Sequence, residues 1–228
     1  MPTPKSNPVL QSLLIKLTCI CMFVGCRTTD VNGPANQQAS SAINHYSPFG
    51  QIPAHVRRVA VLPITYEDSN WHAYSSLDWI NPLLLAELSK RELFEVVPIS
   101  SEELKNWTDA STLRIDRTLS SSVLFKLQLE FGCDAVLFSH LQSYRPFRPM
   151  LAGWKLQLID IRLQSAIWAA DETFDASDRS ISQAVRSYSK GSTVEATRIH
   201  ADSNQVLLSP QYFSRFTLAS LFSSMPPR

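Results

Sequence analysis

The stretch Arg57-Arg58-Val59-Ala60-Val61-Leu62-Pro63 limits the fold of this chain more than any other. Four apolar residues in a row, bounded by charges, describe a strand covered on both faces, because a half-exposed strand would alternate apolar with polar residues. Such a strand belongs inside a layered structure in which other elements pack on the sheet. Pro63 cannot donate to a sheet ladder, so it marks the end of the strand or a bulge.

The remaining elements follow from period and punctuation. Further strands are expected over 94–99 and 134–139, then a hairpin of 154–163 and 167–174. In its first arm Trp154, Leu156 and Leu158 alternate on one face, and Ile159, Ile161 and Leu163 continue on the other. A period-2 pattern that flips once implies a bulge near Leu158-Ile159 or a strand covered on both sides. Helices are expected from Asn81 to about Arg91, with Asn81 as N-cap and Pro82 at the first helical position. Another runs from Ser100 to near Trp107, opened by the S-x-x-E capping box of Ser100 and Glu103. A third covers 120–131, with Leu124, Leu127 and Phe131 on one face and Gly132 as its left-handed stop. Residues 178–190 read as helical, 191–208 have no clear period, and Ser209-Pro210 opens a last helix striped by Tyr212, Phe216, Ala219 and Phe222. The order gives an α+β fold (an α/β sandwich): a mixed sheet of about five strands ending in an antiparallel hairpin, with helices packed mainly on one face.

The N-terminus is of another kind. A weakly basic start (Lys5, Lys16) leads into the short apolar run Leu17 to Val24 and then Gly25-Cys26. That is the layout of a secretory signal, too short to span a bilayer. Phe23-Val24-Gly25-Cys26 resembles the lipobox of bacterial lipoproteins, and the resemblance implies cleavage after residue 25 and acylation of Cys26. Two or three buried acyl chains, at about 0.8 kcal/mol per CH₂, hold a protein firmly on a membrane. Residues 26–54 are polar and turn-rich and read as a lipidated, flexible tether. A folded domain follows over 55–177, with a helical C-terminal extension, 178–228, packing on it.

Cysteine and charge counts narrow the possibilities. Cys19 and Cys21 lie in the segment that would be removed and Cys26 would be acylated, so Cys133 alone remains and no intramolecular disulfide can form. Cys133 is expected to be a buried, inert thiol. Losing Lys5 and Lys16 with the first 25 residues leaves 19 basic against 20 acidic side chains, which argues against nucleic acid as a partner.

Three segments bring a family into view. Val59-Ala60-Val61-Leu62-Pro63 resembles the first strand of envelope proteins with the TolB N-terminal fold, a group that includes the curli-secretion channel lipoprotein and lipoprotein activators of penicillin-binding proteins. Gly132-Cys133-Asp134-Ala135-Val136-Leu137 is similar to that group's helix-to-strand junction, and Asp160-Ile161-Arg162 with Ile167-Trp168 is similar to its hairpin. The turn Gln164-Ser165-Ala166 lacks the family's glycine, which speaks against a two-residue turn with positive φ there. The likeness spans roughly 56–175 and implies a fold, with no catalytic residue to carry over.

Chemistry-bearing motifs are sparse. The five histidines, 45, 55, 72, 140 and 200, show no metal-ligand spacing, and no phosphate-binding glycine loop occurs, so no cofactor is expected. His140 reads as a hydrogen-bonded core or face residue. The loop Glu67–Ser75 combines Glu67, Asp68, Ser69 and His72 with Trp71 and Tyr74, and aromatic loop residues often anchor interfaces. Tyr144, Arg145, Phe147 and Arg148 form a second basic, aromatic patch. Trp71, His72, Tyr74, Tyr144, Arg145, Phe147 and Arg148 are therefore the candidate interface residues, with Cys26 the lipidation site.

These features give a lipid-anchored envelope protein, membrane-bound through its N-terminal lipid. It would be a non-enzymatic adaptor or assembly component that binds other envelope proteins, with a homo-oligomer also open. Arg27 after the cysteine, by resemblance to lipoprotein sorting, favours the outer membrane facing the periplasm. The alternative is an envelope hydrolase or small-ligand receptor using the loop Glu67–Ser75.

Overall fold

Seven strands build one mixed sheet: β1 (His45–Tyr46), β2 (Arg58–Val61), β3 (Thr65–Tyr66), β4 (Glu95–Pro98), β5 (Ala135–Arg145), β6 (Leu151–Asp160) and β7 (Ala166–Asp175). Their order is β1-β7-β6-β5-β2-β4, with β3 also paired to β5. The helices are α1 (Ile80–Ser89), α2 (Ser101–Thr108), α3 (Ser121–Phe131), α4 (Arg179–Gly191) and α5 (Pro210–Ser223), preceded by a 3₁₀ turn at Val206–Leu208. The computed structural model describes residues 43–67, 78–114, 120–191 and 206–228, and these belong to one compact unit, Gln38–Arg228.

β2 is parallel to both neighbours, β4 and β5, while β5, β6, β7 and β1 pair antiparallel. β2 and β3 run along the same side of β5, at Ala135–Leu137 and at His140–Leu141. Pro63 falls in the interruption between them, where a missing N–H costs no ladder bond. The run Val59–Leu62 is covered on both faces. Val59 and Val61 enter the larger of two cores and Ala60 and Leu62 the smaller.

The larger core holds α1, α4 and α5 against β5, β6 and β7, with Trp154, Trp168, Phe174, Phe213 and Phe222 almost fully enclosed. The smaller packs α2 and α3, through Leu104, Val123, Leu124 and Leu127, on Val136 and Phe138 of β5. Helices thus cover one face of β2, β5, β6 and β7, leaving the edge strand β1 exposed, and the other face only over β4, β2 and β5. The two strands beyond the expected five are the two-residue β1 and β3, too short to leave a periodic signal.

Local punctuation mostly follows the sequence. Ser100 accepts from Glu103 N while Glu103 reaches back to Ser100 N, the full capping box. Gly132 stops α3 at φ 62°, and an added Cβ there would meet an Arg58 guanidinium nitrogen at 3.0 Å. The ladder between β6 and β7 shifts register at Leu158/Ile159, where the apolar pattern flips.

Two expectations are corrected. Asn81 does not cap α1, which begins two residues before Pro82, at Ile80 after Trp79; its side chain instead accepts from Ile64 N at 3.1 Å, tying α1 to the β2–β3 break. The last part of the tether, residues 43–54, is folded onto the sheet: β1 pairs with β7, and Ile52 is 1% exposed and donates its N–H to Pro227 O. Isolated apolar anchors such as Ile43 and Ile52 are diluted by the polar residues around them, so composition alone missed them. The β6–β7 turn spans 161–164, with Gln164 at φ 52° in the left-handed region that the sequence lacked a glycine to supply.

Candidate functional site

Cys26, Trp71, His72 and Tyr74 lie outside the described residues, as does the loop Glu67–Ser75 beyond Glu67 itself. Tyr144, Arg145, Phe147 and Arg148 come together at the β5–β6 connection. β5 continues past the expected 134–139 to Arg145, which pairs with Leu151, and Leu151 pairs with Asp175 on β7. The connection is thus a short tip at one end of three adjacent strands.

Its arginines brace the tip from within. Arg145 Nε donates to Pro149 O across the turn, and Arg145 Nη2 reaches the Asp175 carboxylate at 3.5 Å. Arg148 Nε donates to Leu207 O at 3.4 Å, joining the tip to the 3₁₀ turn before α5. Tyr144 is half-buried, and burial pushes its phenol up to about 12 against the opposing effect of a hydrogen bond with Ser214. Met150 is buried beneath. Phe147, by contrast, is 77% exposed, and Leu208, next in sequence to the Leu207 that Arg148 reaches, is 56% exposed. Asp175 is held below its ordinary carboxyl range, first by the Ser177 N–H at 2.8 Å.

A second polar group lies where the smaller core ends. Thr65 Oγ1 and His140 Nδ1 are 2.8 Å apart, and His140 Nε2 is 3.2 Å from Glu67 Oε2. Hydroxyl, imidazole and carboxylate in that order have the composition of a nucleophile relay. Thr65, however, is 4% exposed, lies in paired β3, and also reaches Ser139 O at 3.2 Å. A buried hydroxyl fixed in a sheet cannot approach a substrate, so the trio braces β3 against β5. His140 takes the hydrogen-bonded place expected of a histidine within an apolar strand.

A third group was not singled out by sequence. Asp160, 1% exposed, accepts from His55 Nε2 at 2.6 Å and from the backbone N–H groups of Arg162 and Leu163 at 2.8 and 2.9 Å. One buried carboxylate thus shapes the β6–β7 turn and fastens it to the segment entering β2. An aspartate closing an apolar strand just before a turn was the available signal. Cys133 is 1% exposed, and burial raises its thiol to about 11.

The uncovered half of the sheet carries Lys155, Gln157, Asp171 and Thr173. With Asn44, His45 and Tyr46 of the β1 segment it frames a shallow cleft of about 350 Å³. This is the solvated face an antiparallel sheet can present to water. Gly153 sits on it because a Cβ there would come within 2.3 Å of Ser143 Oγ. Among the described residues no group of three or more His, Cys, Asp or Glu could hold a metal ion, and no helix is long and apolar enough to cross a membrane.

No family model and no curated protein matches this sequence. Solved structures similar to it include the PelC dodecamer from Paraburkholderia phytofirmans, at 13% identity over 82% of this chain and 98% of that one, TM-score 0.42. Lipoprotein GNA1162 from Neisseria meningitidis is 19% identical over 52% of this chain and 79% of that one, TM-score 0.32. The LpoB C-terminal domain from Salmonella enterica is 17% identical over 52% and 82%, TM-score 0.30. At these scores the likenesses assign neither a family nor a function.

Proposed function

We propose that this chain is a lipid-anchored, non-enzymatic protein of the bacterial cell envelope, acylated at Cys26, that acts as an adaptor or assembly component for other envelope proteins. The observation that carries the reading is Phe23-Val24-Gly25-Cys26, set between the apolar run Leu17–Val24 and the polar residues that follow. The arrangement of the folded part is in keeping with it. Thr65, His140 and Glu67 brace two strands, the Cys133 thiol is enclosed, and Phe147 is exposed on a tip braced by Arg145 and Arg148. By the residue after the cysteine, Arg27, the anchor belongs in the outer membrane, with the domain facing the periplasm.

The test is metabolic labelling with a radioactive or clickable fatty acid, comparing the wild type with Cys26→Ala. Label confined to the wild type, with the variant released or stalled as precursor, supports the anchor; equal labelling of both overturns it. Co-purification of partners from detergent-solubilised membranes then tests the adaptor role.

A further inference from the structure

We infer that the Phe147 tip is a membrane-contact site that dips into the headgroup region of the bilayer and sets how the domain stands on its anchor. The inference rests on the lipid-anchor reading. It starts from where the described chain enters the sheet. β1 is antiparallel to β7 with His45 opposite Ala170 and Tyr46 opposite Ala169, and Asp171 N donates to Asn44 O. Moving back from His45 through Asn44 to Ile43 is therefore moving along β7 toward Asp175. Asn44 N already reaches the Glu172 carboxylate at 3.0 Å. Asp175 lies three residues on, about 10 Å at strand spacing, in the same cross-strand row as Leu151 and Arg145, from which the tip springs. The chain that leads back to Cys26 and the exposed Phe147 share one end of the sheet.

Reach agrees with this. Residues 27–42 separate Cys26 from Ile43, a span of at most roughly 60 Å. A domain held that closely meets the surface often, so a weak second contact is sufficient to fix its orientation. The chemistry of the tip suits a lipid surface. An aromatic ring projects and Leu208 is exposed as well, while the sequence Tyr144–Pro149 contributes two arginines and no acid, with Asp175 as the nearby counter-charge. A projecting aromatic ring seats at the headgroup boundary, and the arginines braced behind it add positive charge toward anionic lipid. Two exposed side chains are, on the other hand, far short of the roughly 800 Å² per partner of a stable protein interface. The opposite end of the hairpin supplies a built-in control, since Leu163, 64% exposed, is apolar and sits on the β6–β7 turn.

The experiment uses the full lipidated chain in vesicles of phosphatidylethanolamine and phosphatidylglycerol, with a nitroxide on Phe147→Cys or on Leu163→Cys; buried Cys133 stays unlabelled in the folded protein. The expected result is a several-fold higher ratio of oxygen to water-soluble relaxant accessibility at 147 than at 163. Equal ratios in protein that floats with the vesicles would overturn the membrane contact while leaving the anchor standing. Shielding at 147 that arises only when envelope proteins are added would reassign the tip to a protein partner. Protein that fails to float at all would refute the anchor, and this proposal with it.

Discussion

The indole N–H of Trp154 on β6 donates to Thr217 Oγ1 on α5 at 3.0 Å, and both residues are fully buried. Two turns further along the helix region, Ser224 Oγ accepts from the indole of Trp168 at 3.2 Å. The sheet's two tryptophans thus each satisfy their polar edge on the C-terminal helix, which a buried indole requires. Thr217→Val keeps the shape and removes the acceptor. We expect a loss of about 1–3 kcal/mol, the cost of an unmet buried donor, and recovery in Thr217→Ser, read from urea midpoints.

Phe216 packs edge-on against Phe174 at 6.0 Å and against Tyr188 at 5.7 Å, so it joins α5 to both β7 and α4. Phe216→Ala should cost about 3–5 kcal/mol. Chemical denaturation decides this: a change under about 1 kcal/mol would mean that the site collapses around the gap.

Asp160→Asn should destabilise by about 1–3 kcal/mol, because the amide offers one acceptor oxygen where two now serve His55 and the turn N–H groups. His55→Ala and Asp160→Asn should be non-additive by at least about 0.5 kcal/mol in a double-mutant cycle. Additive losses would show that the 2.6 Å contact contributes nothing of its own.

The fold should weaken toward alkaline pH. The Cys133 thiol ionises at about 11 in the folded protein against an ordinary 9.0, burial being the main cause, with the Arg58 charge opposing it. Between those values the unfolded chain has already lost its proton and the folded chain has not, so stability falls as pH rises through the window. Tyr144, raised from 10.0 to about 12, extends the loss. Cys133→Ala should remove the thiol's share of the slope, and native Cys133 should resist alkylation until the protein is unfolded.

On the acid side the sign reverses. Glu103 is held below its ordinary 4.5, first by the Ser100 hydroxyl and then by its backbone N–H. Its contribution is present above pH 4.5 and lost as pH falls below it. Ser100→Ala should flatten that part of the pH–stability curve, measured by thermal melts from pH 3 to 6.

Much of the architecture was legible because it rests on local signals. Apolar runs marked the strands of the sheet, Ser100 with Glu103 and Gly132 marked helix ends, and the flip after Leu158 marked a real irregularity in the β6–β7 ladder. What stayed hidden depends on distant partners. α5 reads as a single stripe, yet Phe213, Ser214, Leu218 and Leu221 are buried as well, since α1, α4 and the sheet surround it. The Asp160–His55 pair spans 105 positions and has no local signature. At the candidate tip, Arg145 and Arg148 looked like interface anchors by type. Only the structure shows their Nε groups bound to backbone carbonyls and Phe147 left as the projecting member.

The bond from Ile52 N to Pro227 O and the docking of α5 on Trp154 and Trp168 also fix when this protein can fold. A chain emerging from a ribosome or a translocation channel exposes all seven strands before the helix that shields their apolar face has been made. No hairpin nucleus near the start can finish the job, because the tryptophan bonds to α5 span 63 and 56 positions and the Ile52–Pro227 bond nearly the full length of the domain. Completion waits for Pro210–Ser223, which follow every strand of the sheet. Until then the face bearing both tryptophans is open, and whatever escorts the nascent polypeptide has to keep that face from finding another copy.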